Sequence, residues 1–278
     1  LSFTAGTALM MWLGEQINVK GVGNGISILM FAGIVSRMPS LIAKLVAYFS
    51  VAVEQPSEYF RFYVFVPLFV IMFFFMIWII VFMNDAERRI PIQYAKRTVG
   101  RKMYAGQNSH IPLKVGIAGV MPIIFATSIL AVPGFANFFM RPAGVLKMIL
   151  DSLSPGGWIH TVIYFLLIIM FAYFYVAITY NPIEMANNLR QSNGAIPGIR
   201  PGKPTSDYFA KILSKVTFIG ALFLAFIALL PIGFSAGTGM QNLSMGGTSI
   251  IIMVGVALET VKQMESQLMM RHYKGFLD

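Results

Sequence analysis

The run GVGNG, Gly21 to Gly25, has the glycine density of a loop that cradles phosphate on its backbone N–H groups. Phosphate chemistry would also need a following G-K-[ST], or the strand and acidic residue of a dinucleotide fold, and the sequence instead continues ISILMFAGIV. The glycines are therefore read as a chain break that lets a helix begin close against its neighbours, with Asn24 as its cap. His110, His160 and His272 have no second metal ligand at useful spacing. No nucleophile is paired with a base, so no catalytic residues, cofactor or metal are expected. Ionisable groups inside a membrane usually mark proton or ion pathways. Here they are few: Glu259 has Lys262 three residues on as its partner, and Arg37 and Lys44 fall toward the outer half of their span, where snorkelling relieves them.

What the sequence concentrates is positive charge. YAKRTVGRKMYAGQNSHIPLKV, Tyr94 to Val115, lies between YVFVPLFVIMFFFMIWIIVFM, Tyr63 to Met83, and GIAGVMPIIFATSILAV, Gly116 to Val132. A chain of 278 residues with 57% hydrophobic and 12% charged residues and a mean hydropathy of +0.72 cannot hide its apolar surface in one soluble core. It belongs in a bilayer. A spanning helix needs about 20 mostly apolar residues. Six stretches qualify: Gly25 to Ser50, Tyr63 to Met83, Leu113 to Pro133, Trp158 to Tyr180, Ile212 to Phe234 and Thr248 to Met270. A seventh, Leu1 to Leu13, is too short, so the chain is expected to begin inside a helix and to be a piece of a longer protein. That stretch has neither the charged region nor the cleavage site of a signal peptide, and no lipidation motif follows. Zero cysteines exclude disulfides and thiolate sites.

The net charge of +10 is unevenly placed. Lys20 precedes the first full span. Arg88, Arg89, Lys96, Arg97, Arg101, Lys102 and Lys114 follow the second, and Arg190, Arg200, Lys203, Lys211 and Lys215 follow the fourth. Lys262, Arg271 and Lys274 close the chain, while the intervening gaps hold only Arg61, Arg141 and Lys147. The positive-inside rule puts the long basic loops and the C-terminus in the cytoplasm.

Within the first basic loop Ile90, Ile92 and Tyr94 alternate with Pro91, Gln93 and Ala95, TVG offers a turn, and RKMYA resumes. The pattern predicts a β-hairpin with two arms of roughly eight residues, projecting about 25 Å, with Arg101 and Lys102 near its tip. A topology signal, or a patch held on anionic headgroups, needs only a few charges beside a span. These continue to the far end of a segment with its own turn chemistry, which fits a large acidic or polyanionic partner better. The second loop, Asn181 to Phe209, carries Pro182, Pro197, Pro201 and Pro204 and is expected to hold little regular structure beyond a short helix near Ile183 to Gln191. Its PGIRPG presents Arg200 at a stiff turn, or else serves as a solvated connector.

The strings GEQINVKGVGNGISILMFAGIV (Gly14 to Val35), YAKRTVGRKMYAGQNSHIPLKV, AGVMPIIFA (Ala118 to Ala126), NPIEMANNL, PGIRPGKPT and GGTSIIIMVGVALE (Gly246 to Glu259) resemble, in order along essentially the whole chain, the SecY family of bacterial protein-translocation channels. The resemblance implies an all-α membrane protein, the later part of a polytopic helical bundle whose ten spans form two inverted halves, with a cytoplasmic β-hairpin loop. Residues 1–24 would then be the end of a truncated span and a cytoplasmic connector, 25–50 the last span of the N-terminal half, and 51–62 an external hinge loop. Residues 63–270 would be the C-terminal half, with cytoplasmic loops 84–112 and 181–211, and 271–278 a cytoplasmic tail.

By the same resemblance the function is that of the central pore-forming subunit, which conducts unfolded preproteins across the bacterial plasma membrane and nascent membrane proteins sideways into it. A pore ring of apolar side chains corresponds to Ile26, Met30, Ile124 and Ile252, with Met30 standing where isoleucine is usual. From the residues alone these four read as ordinary helix packing. Leu113 to Pro133 and Trp158 to Tyr180 correspond to gate helices, with Gly116 where many relatives carry asparagine. Arg97, Arg101, Lys102 and Arg200 would dock the SecA ATPase or the ribosome, through its RNA, and the SecE and SecG subunits would complete the complex. A half of a secondary transporter is the alternative, which needs a polar site near the midplane, and a membrane scaffold is the third reading.

Overall fold

The computed structural model describes residues 2–54, 56–94, 98–99, 102–103, 108–140, 144, 150, 152–153, 157–239 and 247–274. They form two compact units, one drawn from Leu1–Val81 and Leu230–Asp278, the other from Phe82–Leu229. Nine helices over eight residues long are seen among the described residues: α1 (Ser2–Lys20), α2 (Gly25–Val35), α3 (Met38–Glu54), α4 (Pro56–Asp85), α5 (Met121–Met140), α6 (Trp158–Thr179), α7 (Pro182–Gln191), α8 (Lys203–Thr238) and α9 (Gly247–Lys274). The strands are β1 (Glu87–Tyr94), β2 (Thr98–Val99), β3 (Lys102–Met103), β4 (Asn108–Lys114) and β5 (Gly194–Ala195). Among the described residues five segments are long and apolar enough to cross a membrane: Gly25–Glu54, Arg61–Asp85, Trp158–Gln191, Lys203–Thr238 and Gly247–Met269, and Met121–Asn137 is a shorter apolar helix. The chain is a multi-pass helical membrane protein.

In the first unit the glycine run does what its composition predicts. Gly23 takes φ +96, and the side chain of Asn24 accepts from the N–H groups of Ile26 and Ser27 to cap α2. Gly25 is buried against Gly14, where any Cβ would meet the backbone of α1, so α1 and α2 touch main chain to main chain. The first expected span, Gly25 to Ser50, is not one straight helix. It breaks at Ser36 and Arg37 and resumes as α3, and residues 51–54 and 56–62, expected in an external loop, are helical. The break follows from an i→i−3 bond, Arg37 N–H to Ile34 O at 3.1 Å, which tightens the turn. α3 then packs Leu41, Leu45 and Tyr48 against Val66 and Phe69 of α4.

In the second unit the expected span Leu113 to Pro133 is displaced. Leu113 and Lys114 belong to β4, residues 115–120 form turns, and α5 starts only at Met121. Hydropathy alone cannot tell an apolar strand end from a helix start. The ladder decides it: Val115 N–H donates to Ala86 O at 2.8 Å, and Gly119 takes φ +58, which ends any continuous helix. α6 buries Tyr164, Ile168, Ala172 and Val176, one residue per turn, and Ala172 and Val176 pack with Ala118 and Ala221. Small residues permit this closeness. A Cβ on Gly220 would lie 2.6 Å from the carbonyl oxygen of Val115. α5 and α6, the expected gate helices, pack side by side with Phe125 and Phe171 rings 5.7 Å apart.

Candidate functional site

The two basic segments build a single sheet-based module. β1 runs antiparallel to β4 in the register Glu87↔Lys114 through Gln93↔Asn108. Two arms of eight and seven residues rise about 25 Å at about 3.3 Å per residue. Beyond them Thr98 pairs with Met103 and Val99 with Lys102, the small hairpin of the expected tip. Lys102 lies in that pairing, while Arg97 and Arg101 lie outside the described residues.

Alternation gives β1 an inner and an outer face. Ile90 and Ile92 are buried with Leu113 of β4, with Ala186 and Leu189 of α7, with Ile196, and with Phe209 and Leu213 of α8. Arg89, Gln93, His110 and Lys114 stay exposed on the other face. Arg89 Nε donates to Glu87 Oε1 at 2.8 Å, an exposed pair of the kind that contributes little to stability.

The second basic segment is not the loosely ordered connector that its prolines suggested. The side chain of Asn181 accepts from Ile183 N–H at 3.1 Å to cap α7, and Asn193, at φ 54, reverses the chain after it. β5 then pairs with β1, Gln93↔Ala195 and Tyr94↔Gly194, giving the sheet order β4-β1-β5. Ile196 is buried, Gly198 takes φ +81, and Ile199 N–H returns to Ile196 O at 3.1 Å. The carbonyl of Arg200 accepts from the buried hydroxyl of Thr205 at 2.9 Å, and Gly202, at φ +110, admits the start of α8. Arg200 therefore stands exposed on a turn held by a side-chain hydrogen bond at one end and a buried isoleucine at the other. Proline and glycine here specify turns. The one signal that could have revealed the docking is the apolar pair Leu189 and Ile196 flanking Gly194.

The expected ring residues divide between the units. Ile26 and Met30 lie one turn apart on α2, 51% and 41% exposed. Their position is set by the α1–α2 turn, where Gly25 N–H donates to Asn18 Oδ1 at 2.7 Å. Ile252, 9% exposed, is on α9, which packs on α2 within the same unit. Ile124 is half-buried on α5 of the second unit. His110 and His160 stand on different elements, and His272 lies in the last turn of α9. Among the described residues no group of three histidines or carboxylates converges to hold a metal.

A family model described as SecY matches residues 1–261. The protein translocase subunit SecY of Streptomyces coelicolor is 45% identical over all of this chain and 62% of its own length. That of Mycobacterium bovis is 44% identical, with 63% of its length covered. That of Halalkalibacterium halodurans is 45% identical, with 64% covered. The chain thus spans about three-fifths of the length of these relatives. One solved structure, which reports that the plug domain of the SecY protein stabilises the closed state of the translocation channel, superposes with a TM-score of 0.62 at 20% identity, covering 93% of this chain and 63% of that one. A second, reported as the structure of a protein-conducting channel, gives 0.62 at 21% identity, with 93% and 62% covered. These two likenesses bear on the fold.

Proposed function

The chain belongs to the SecY family, and from that premise we propose that it supplies the C-terminal part of the pore-forming subunit of a bacterial protein translocase. The whole protein conducts unfolded preproteins across the plasma membrane and releases nascent membrane segments sideways into it. One observation carries this reading: the family match covers residues 1–261 and so reaches into the last candidate span, Gly247–Met269.

Ile26, Met30, Ile124 and Ile252 form the apolar neck of that channel. Such a neck dewets against ions, yet offers a passing polypeptide no directional bond that would hold it. The exposed i, i+4 placement of Ile26 and Met30 supports this, and a flexible thioether at Met30 can close a greasy constriction as well as isoleucine does. The sheet module is the cytoplasmic handle, with the basic segments inside by the positive-inside rule. It presents Arg97, Arg101, Lys102 and Arg200 to the SecA ATPase or to ribosomal RNA, with SecE and SecG as companion subunits. Replacing Ile26, Ile124 and Ile252 together with serine in the complete channel should wet the neck and raise resting ion conductance in planar bilayers. Unchanged conductance from a folded triple mutant would remove the neck assignment, and failure of the parent channel to import preprotein into vesicles would remove the function itself.

A further inference from the structure

Toward its C-terminal end α9 is exposed on every side but one. From Val261 to Met269 each residue is exposed except Gln263, which is half-buried. Ile252, Val256, Thr260 and Gln263 follow one another at steps of four, four and three residues, the spacing of one helical face, and Ile252 and Val256 are buried. That face meets the glycine turn between α1 and α2: a Cβ on Gly23 would lie 3.5 Å from Gln263 Oε1 and 3.6 Å from Thr260 Oγ1. Both helices and the turn belong to the first unit.

The turn is a firm seat. Gly21 N–H donates to Ile17 O at 2.8 Å, Gly25 N–H donates to Asn18 Oδ1 at 2.7 Å, and the Asn24 side chain caps α2, so the turn is tied to α1 at both ends and to the start of α2. Gly23 takes φ +96, and a Cβ there would come within 3.0 Å of Ile28 Cδ1, so the position is confined to glycine and stays flat toward α9. On the other side of the contact the Thr260 hydroxyl donates to Val256 O at 2.8 Å within its own helix, which lets the side chain lie against the turn with its donor satisfied.

Such a contact sets height. α2 leaves the turn as α9 arrives at it, so lengths along the two helices can be compared from there. Met30 lies seven residues past Gly23, about 10 Å, while Ile252 lies eight residues before Thr260 and eleven before Gln263, about 12 and 16 Å. Ile252 therefore stands about 2–6 Å beyond the level of Met30, within about one turn. Apolar burial is non-directional, so by itself it discriminates little against a slip of α9 by one turn, about 5.4 Å. The glycine turn offers a single seat. We propose that Thr260 and Gln263 are positioning residues for the neck: seated on the Gly23 turn, they fix the height of α9 against α2 and so hold Ile252 level with Ile26 and Met30. The inference rests on the assignment of those three residues to the neck.

The test reads height and seal separately in the complete channel. Spin labels on Lys20→Cys and Met269→Cys, two exposed positions used as the only cysteines, report the height of α9 against the turn by their separation, and planar bilayers report resting ion conductance. Thr260→Ala/Gln263→Ala empties the seat. The separation should then shift by up to one turn, about 5.4 Å, or split into two populations, and resting conductance should rise toward that of the Ile26→Ser/Ile124→Ser/Ile252→Ser channel. Thr260→Val/Gln263→Met keeps the shape of the contact without its hydroxyl or amide and should show the parental separation and conductance. An unchanged separation in the Thr260→Ala/Gln263→Ala channel overturns the proposal, and so does an equal leak from Thr260→Val/Gln263→Met. A shifted separation with parental conductance, where the triple serine replacement does leak, overturns the link between height and seal and leaves the neck standing. If the triple replacement is tight as well, the neck reading fails and this proposal fails with it.

Discussion

Gly194→Val should uncouple the two halves of the docking module without unfolding either. A Cβ at Gly194 would lie 2.6 Å from Leu189 Cδ1, 3.1 Å from Ile92 Cγ2 and 3.3 Å from Tyr94 Cε1. Leu189 and Ile92 are both core residues of the module, so neither can withdraw without disturbing its own neighbours. Overpacking of this kind costs about 1–3 kcal/mol. Against it stand the two residue pairs that join β5 to β1, whose backbone bonds contribute about 1 kcal/mol each, and the burial of the adjoining Ile196 in the shared core. The cost is comparable to the pairing itself. The pairing of β5 with β1 should therefore loosen, and with it the turn that carries Arg200. Gln93 and Ala195 are directly paired and exposed, so their Cα atoms fall within the ~4.4–6.8 Å that a disulfide spans. Oxidation of Gln93→Cys/Ala195→Cys should be rapid in the parent channel and at least about twofold slower with Gly194→Val added, since each 1.4 kcal/mol lowers the docking equilibrium constant about tenfold and a cost equal to the pairing leaves about half of the strands docked. Arg89→Cys/Pro112→Cys, across β1 and β4, should cross-link equally well in both. Equal rates at the first pair would refute the reasoning, and so would slowing at the control pair, because the damage would then not be confined to β5.

Three further outcomes are expected. Thr205→Val removes the hydroxyl that donates to Arg200 O at 2.9 Å and should cost about 1 kcal/mol, seen as faster hydrogen exchange over residues 198–205 and weaker ATP-driven transport; unchanged exchange would mean that the turn is held by Ile196 alone. Asn24→Ala deletes the cap of α2 at a cost of about 1 kcal/mol, so the amides of Ile26 and Ser27 should exchange faster and resting conductance should rise, whereas protected amides would show the cap to be dispensable. Arg101→Glu/Lys102→Glu should weaken ribosome binding and reduce the slope of log affinity against log salt by about 1.5, at about 0.7–0.9 per phosphate contact; an identical slope would exclude those two side chains from RNA.

The spans were legible because an apolar run as long as Tyr63 to Met83 has only one way to satisfy its backbone in lipid. The first arm of the hairpin was legible for a similar reason, since Ile90, Ile92 and Tyr94 alternate at the strand period. What failed was the boundary at Leu113, where an apolar strand end, a glycine turn and a helix start follow in one hydropathic run, and hydropathy does not record φ. The candidate neck residues were accessible only through resemblance, because an isoleucine facing a pore and one facing a neighbouring helix have the same spacing. The attachment of the second basic segment was illegible for a different reason. β5 is two residues long and pairs with a strand about a hundred residues earlier, and two residues carry no period. PGIRPG accordingly read as a stiff turn or a solvated connector, with nothing to attach it to β1. In the folded chain its glycines make the reversals, and Leu189, Ile196 and Phe209 fix where the turn sits against β1. The charges of the two segments are therefore placed by a shared apolar core, and no motif in either segment specifies that placement. A force applied at Arg200 would reach β1 through that core, and a position where the core leaves no room is Gly194, an uncharged residue that no search for docking charges would select.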